Sequence, residues 1–194
     1  MAAKFEMNNL GKLTYYLGIE VYQHEGEILL KQDRYAMKIF EETGMSECNL
    51  SHTPMEQNVK LSKYMQDPKE SHGAALKQVL RYLCGTISYG LTYTRTRSVE
   101  LVGYSDSSHN VGEDDGKSTG GHMFYLDKIP ISWCSQKQEI TALSSCEAEF
   151  MTATETAKQT IWLQELLSEI IREDSKKVTI RVDNRSATAL TYTC

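Results

Sequence analysis

The chain has 194 residues, 40% of them hydrophobic, and a formal net charge of −5. That length and apolar content suffice for one ordinary core, or one domain plus an incomplete neighbour, and exclude a disordered chain. The negative charge excludes a free-standing, tight nucleic-acid binder, because Lys and Arg facing phosphate supply most non-specific affinity, so any such contact is local or weak.

At the N-terminus Lys4, Glu6, Asn8, Asn9 and Lys12 interrupt the apolar positions, which rules out the continuous core of a signal peptide. No run elsewhere is long enough to span a bilayer, so no membrane partner is expected. The cysteines, Cys48, Cys84, Cys134, Cys146 and Cys194, are odd in number, scattered, and never spaced as a metal-binding pair. They read as reduced thiols of an intracellular protein, in cytoplasm or nucleus.

Taken in order, Leu13, Tyr15, Leu17, Ile19 and Val21 alternate as a strand would. His24-Glu25-Gly26-Glu27 supplies a turn into Ile28, Leu29 and Leu30. Tyr35, Met37, Ile39 and Phe40 sit in a helical stretch that Gly44 can end. From Met45 to Tyr64 the chain is polar, contains Pro54, and reads as a connector or an extended segment. A second helix is expected from Pro68 or Ser71, with an apolar stripe of Ala75, Val79, Leu80 and Leu83 that stops at Gly85.

Beyond Gly90 strands come first and helices after. Leu91 and Tyr93 are expected to pair with Leu101, Val102 and Tyr104 across a turn from Arg95 to Ser98. Two more strands, Gly121 to Leu126 and Ile129 to Cys134, meet at Asp127-Lys128. Leu143, Glu147, Phe150, Thr154, Ala157 and Ile161 share one helical face, and Leu163, Leu166, Leu167, Ile170 and Ile171 extend it or form another helix. Trp133 and Trp162, among apolar neighbours, read as core residues. A strand over Val178, Ile180 and Val182 ends at Asp183, and Asn184 to Leu190 can begin a last helix. This order is an α/β or α+β pattern without internal repeats.

Three acids stand at element ends: Asp106 ending the strand of Leu101 to Tyr104, Glu147 opening the long helix, and Asp183 ending the later strand. Sites in α/β sheets form beyond the carboxyl ends of strands, and hard cations take oxygen ligands. Spacing alone favours the ordinary alternative, since acids at element ends most often serve as turn residues and caps. His109 reads as a solvated loop histidine, and Asp114-Asp115 as a turn.

Longer strings say more. Gly103-Tyr104-Ser105-Asp106-Ser107, Lys117-Ser118-Thr119-Gly120-Gly121, Ile131 to Gln138, Ala142 to Phe150 and Val182-Asp183-Asn184-Arg185-Ser186-Ala187 follow one another in an order that resembles the ribonuclease H domain of copia-type retrotransposons. Leu10 to Glu20, Thr53-Pro54-Met55-Glu56 and Leu80-Arg81-Tyr82-Leu83 resemble the late reverse transcriptase region of the same polyprotein.

The resemblance implies an α/β fold, a ribonuclease H-like mixed sheet with flanking helices behind a reverse transcriptase remnant. Residues 1–63 would be the remnant, 64–89 a connecting helix, and 90–194 the ribonuclease H-like domain. It implies hydrolysis of the RNA strand of RNA:DNA hybrids with Mg²⁺ or Mn²⁺, and places Asp106, Glu147 and Asp183 on catalytic, metal-binding positions. Lys117, Lys137 and Arg185, beside those acids in the matched strings, are the candidate nucleic-acid contacts. The partners implied are the hybrid and the remainder of the polyprotein.

Departures from the family pattern are also visible. A block is expected to be missing between Lys63 and Tyr64, and Gly116 stands where the family carries a basic residue. The family domain continues past the position of Cys194 through a fifth strand and a helix with a fourth carboxylate, so a C-terminally truncated domain is expected. Two other readings therefore stay open: a catalytically inactive degenerate fragment, and an interaction protein without nuclease activity.

Overall fold

The structure, a computed structural model, describes residues 11–56, 67–95, 100–110, 115–173 and 177–191. The junction at Lys63-Tyr64, the turn residues Thr96 to Ser98, Asp114 and Cys194 lie outside the described residues. What is described is mixed α/β and falls into two compact units, one within residues 1–59 and 69–95, the other within 60–68 and 96–194. Among the described residues no helix is long and apolar enough to cross a membrane.

In the first unit an antiparallel sheet runs in the order β1 (Tyr15–Tyr16), β2 (Ile19–His24), β3 (Glu27–Lys31), β4 (Leu91–Thr94), accompanied by helices α1 (Asp33–Thr43) and α2 (Glu70–Thr86). The alternation from Leu13 to Val21 suggested one strand, but the chain folds back at Leu17-Gly18, both with positive φ (49° and 83°). Such a pair suits a two-residue hairpin, because its twist matches that of the flanking strands. Gly44, at φ 65°, ends α1 with its N–H on the Glu41 carbonyl. Glu20 is buried, and its carboxylate accepts from the Arg34 N–H and the Tyr22 hydroxyl, holding β2 to the start of α1.

The expected pairing of Leu91 and Tyr93 with Leu101 to Tyr104 is not formed. β4 instead pairs with β3, Ile28 opposite Tyr93 and Leu30 opposite Leu91. Alternation marks a strand but not its partner, and a pairing across sixty residues of chain leaves no local trace.

The second unit holds β5 (Leu101–Ser108), β6 (Thr119–Leu126), β7 (Ile129–Lys137), α3 (Ser145–Ile171), β8 (Thr179–Val182) and α4 (Arg185–Thr191). β5, β6 and β7 form an antiparallel meander turning at Asp127-Lys128, and β8 lies parallel to β5 at the open edge, giving the order β7-β6-β5-β8. A parallel return needs a crossover, and α3 provides it. The core on this side joins Leu101, Phe124 and Leu163, with Ile131, Leu167 and Val178 packed around them.

One continuous helix spans both expected ones, but it turns a different face inward. Its buried residues are Ala148, Glu149, Thr152, Thr156, Thr160 and Leu163, while Leu143 before it and Ile161 within it are exposed. The threonines tolerate burial because each hydroxyl is satisfied inside the helix. Thr152 donates to the Ala148 carbonyl, Thr156 to Thr152 and Thr160 to Thr156, which leaves methyl groups to pack on the sheet. Trp133 and Trp162 are not core residues either, at 64% and 54% exposure. Trp133 stands on the sheet face away from α3, opposite Met123.

Gly120 lets α3 come down onto β6. A Cβ there would meet the Thr152 side chain, with Cγ2 at 3.0 Å and Cβ at 3.2 Å. Thr152 cannot swing aside freely, since Gln138 Nε2 also donates to its hydroxyl. Gly120→Val is expected to cost about 1–3 kcal/mol through overpacking, read as a lower urea midpoint at unchanged slope.

Candidate metal centre

Three carboxylates converge in the second unit. In the parallel register Ser105 pairs with Val182, so the residues that follow, Asp106 and Asp183, come level at the carboxyl ends of β5 and β8. Glu149 reaches them from the buried face of α3. One oxygen from each of Asp106, Glu149 and Asp183 lies within 4.8 Å of the others.

The expected triad is thus corrected at one position: Glu149, not Glu147, completes the cluster. Glu147 is two residues earlier, about 200° away around the helix. Its carboxylate accepts from the Leu143 N–H at 2.7 Å, while its own N–H donates to the Ser144 hydroxyl at 3.1 Å. Ser144-Ser145-Cys146-Glu147 is therefore a helix N-terminal capping arrangement, in which Glu147 satisfies a backbone donor. That pattern is readable in sequence. Once it claims Glu147, Glu149 is the acid left for the site.

Asp106 and Asp183 are exposed and Glu149 is buried. Burial pushes the Glu149 carboxyl above the usual carboxylate value, the Ser107 N–H opposes this by donating to Oε1 at 3.1 Å, and the negative neighbours Asp183 and Asp106 add to the rise. The second oxygen, Oε2, is buried without a hydrogen-bond partner. Among the described residues no ion pair reaches any of the three acids. A buried acceptor without a donor, beside two further carboxylates, is a donor set of hard oxygens with unbalanced negative charge, and it fits a divalent cation.

The basic candidates differ in placement. Lys137 pairs with Asp115 at 2.7 Å, and Lys117 donates its backbone N–H to Asp115 Oδ1 and its Nζ to the Glu139 carbonyl. With Lys137 the largest influence, the Asp115 carboxyl is held below its ordinary value. These two lysines tie residues 115–117 to the end of β7. Arg185 opens α4 two residues beyond Asp183, is exposed, and makes no ion pair among the described residues. Asn184 caps that helix, its Oδ1 accepting from the Ser186 and Ala187 N–H groups. His109 is exposed.

A family described as reverse transcriptase (RNA-dependent DNA polymerase) matches residues 1–57. The Retrovirus-related Pol polyprotein from transposon RE1 of Arabidopsis thaliana is 30% identical over 228 aligned positions, covering 98% of this chain and 16% of that protein. The corresponding polyprotein of transposon TNT 1-94 from Nicotiana tabacum is 26% identical, covering 96% of the chain and 18% of that protein. Over most of its length the chain is thus similar to the Pol polyproteins of copia-type retrotransposons. The chain is also similar to the Secreted RxLR effector protein 161 of Plasmopara viticola, 44% identical over 103 residues, 53% of this chain and 72% of that protein. No solved structure matches the chain significantly. The reverse transcriptase match falls mainly on its first unit, and the carboxylate cluster lies in its second.

Proposed function

We propose that the second unit is a ribonuclease H-like domain that hydrolyses the RNA strand of RNA:DNA hybrids, with Mg²⁺ or Mn²⁺ held by Asp106, Glu149 and Asp183. The observation that carries this reading is the convergence of those three side chains within 4.8 Å. The meander β5 to β7 followed by a helix and a strand parallel to β5 supports it as well. When bound, a pair of such ions activates a water and stabilises the departing oxygen of a phosphodiester.

The protein's own part is placement. Asp106 and Asp183, exposed toward the carboxyl ends of β5 and β8, can face both cation and substrate, while Glu149 is fixed by the Ser107 N–H and keeps Oε2 free to ligate. Arg185, exposed at the start of α4 two residues after Asp183, would position phosphate. With a net charge of −5, the chain would hold a hybrid weakly and lose it readily to salt.

The 194-residue chain, incubated with an RNA:DNA hybrid, should cut the RNA strand in Mg²⁺ and not in chelator. Asp106→Asn should abolish the cut. Absence of any metal-dependent difference would overturn the proposal. The similarity to a secreted effector over about half the chain favours a second reading, an interaction protein without nuclease activity. In that case the hybrid stays intact with either metal.

A further inference from the structure

The first unit brings together two thiols that lie thirty-six positions apart in sequence. After Gly44 ends α1, the chain turns at Met45, where the Cys48 N–H donates to the Met45 carbonyl, and then runs along α2. The Ser51 N–H donates to the Arg81 carbonyl, Gln78 Nε2 donates to the Thr53 carbonyl at 3.5 Å, and Leu50 Cβ lies 3.7 Å from where a side chain at Gly85 would begin. Gln78, Arg81 and Gly85 mark one flank of α2, and Cys84 sits beside them. These contacts bring the segment carrying Cys48 against the flank of α2 that carries Cys84, where burial, and after it the neighbouring Cys48, push the Cys84 thiol up. Both cysteines are free and half-buried, so a small oxidant can reach them.

We propose that Cys48 and Cys84 are a reversible oxidation site, closing to an intrachain disulfide that straps the segment after α1 onto α2. With oxidised glutathione as the oxidant, one cysteine thiolate attacks its S–S bond, forming a mixed disulfide and releasing one glutathione thiolate. The second cysteine thiolate then attacks the protein sulfur, forming the Cys48–Cys84 bond and releasing the other glutathione thiolate. The two cysteines lose two electrons, the glutathione disulfide gains them, and the two protons pass to the departing thiolates. Because the second attack occurs within one molecule, it outruns the entry of a second glutathione.

The test is to treat the folded chain with oxidised glutathione, alkylate the remaining thiols, and map peptides by mass without reduction. The expected product is one cross-linked peptide pair containing Cys48 and Cys84, lighter by two hydrogens, formed at least about tenfold faster in buffer than in denaturant. It should reopen with dithiothreitol. In Cys84→Ser the adduct should stop at glutathione on Cys48, since the resolving thiol is gone. A stable glutathione adduct on Cys48 of the unaltered chain, or equal pairing rates in buffer and denaturant, would overturn the proposal.

Discussion

Replacing Glu149 by glutamine is expected to make the metal-free protein more heat-stable at neutral pH and to remove its thermal response to divalent cations. The first effect follows from the raised carboxyl. A group whose folded value lies above its unfolded one binds protons more tightly in the folded state, so its contribution to stability is present at low pH and is lost as pH rises through the raised value. Above that raised value the folded chain carries a buried negative charge beside Asp106 and Asp183, and the neutral amide removes it while its carbonyl still accepts from the Ser107 N–H.

The second effect runs the other way, because a cation balances that charge. A ligand at about a hundred times its Kd adds about 2.7 kcal/mol to the folded state, several degrees in melting temperature for a domain of this size. Glu149→Gln should erase this shift. Glu147→Gln should keep it and lower stability by roughly 0.3–1 kcal/mol, since it weakens only a helix N-terminus. Melting curves with Mg²⁺ and with chelator, taken across the acid range, separate the two glutamates. Equal cation response in Glu149→Gln and the unaltered chain would remove Glu149 from the centre.

Phe124→Ala is expected to cost about 3–5 kcal/mol, a large part of the 5–15 kcal/mol that holds an ordinary domain together. Phe124 is fully buried between Leu101 and Leu163. Directly beneath its ring lies Gly103, where a Cβ would come 2.8 Å from Phe124 Cε1. With no side chain at Gly103 to move in, the cavity left by the ring stays open, which places the cost at the upper end. Trp133→Ala on the same sheet is the control. That ring is 64% exposed, and its loss should change stability by about 0.5 kcal/mol or less. Trp162, in the same unit, reports unfolding by fluorescence in both variants.

Several features were legible because local chemistry dictates them. The Asp127-Lys128 turn, the stop at Gly44 and the second helix, found at Glu70–Thr86, rest on nearby residues. So do Asp106 on its strand and Asp183 just after β8, since alternation marks strands and their polar ends. The inward face of α3 was less legible. Apolar spacing pointed to Leu143, Glu147 and Ile161, but threonines bonded to carbonyls one turn back present methyl groups and read as polar only in sequence.

By itself the sequence determined the order of most helices and strands, the turn and cap at Asp127-Lys128 and Gly44, and a pair of aspartates at sheet positions suited to a site. Only the tertiary structure decided that β4 joins β3, that Glu149 rather than Glu147 meets those aspartates, and that the segment carrying Cys48 runs along α2 beside Cys84. The division has one physical cause. Turn, cap and periodicity preferences act over a few residues, whereas strand partners, helix rotation and thiol proximity are set by packing between segments far apart in the chain.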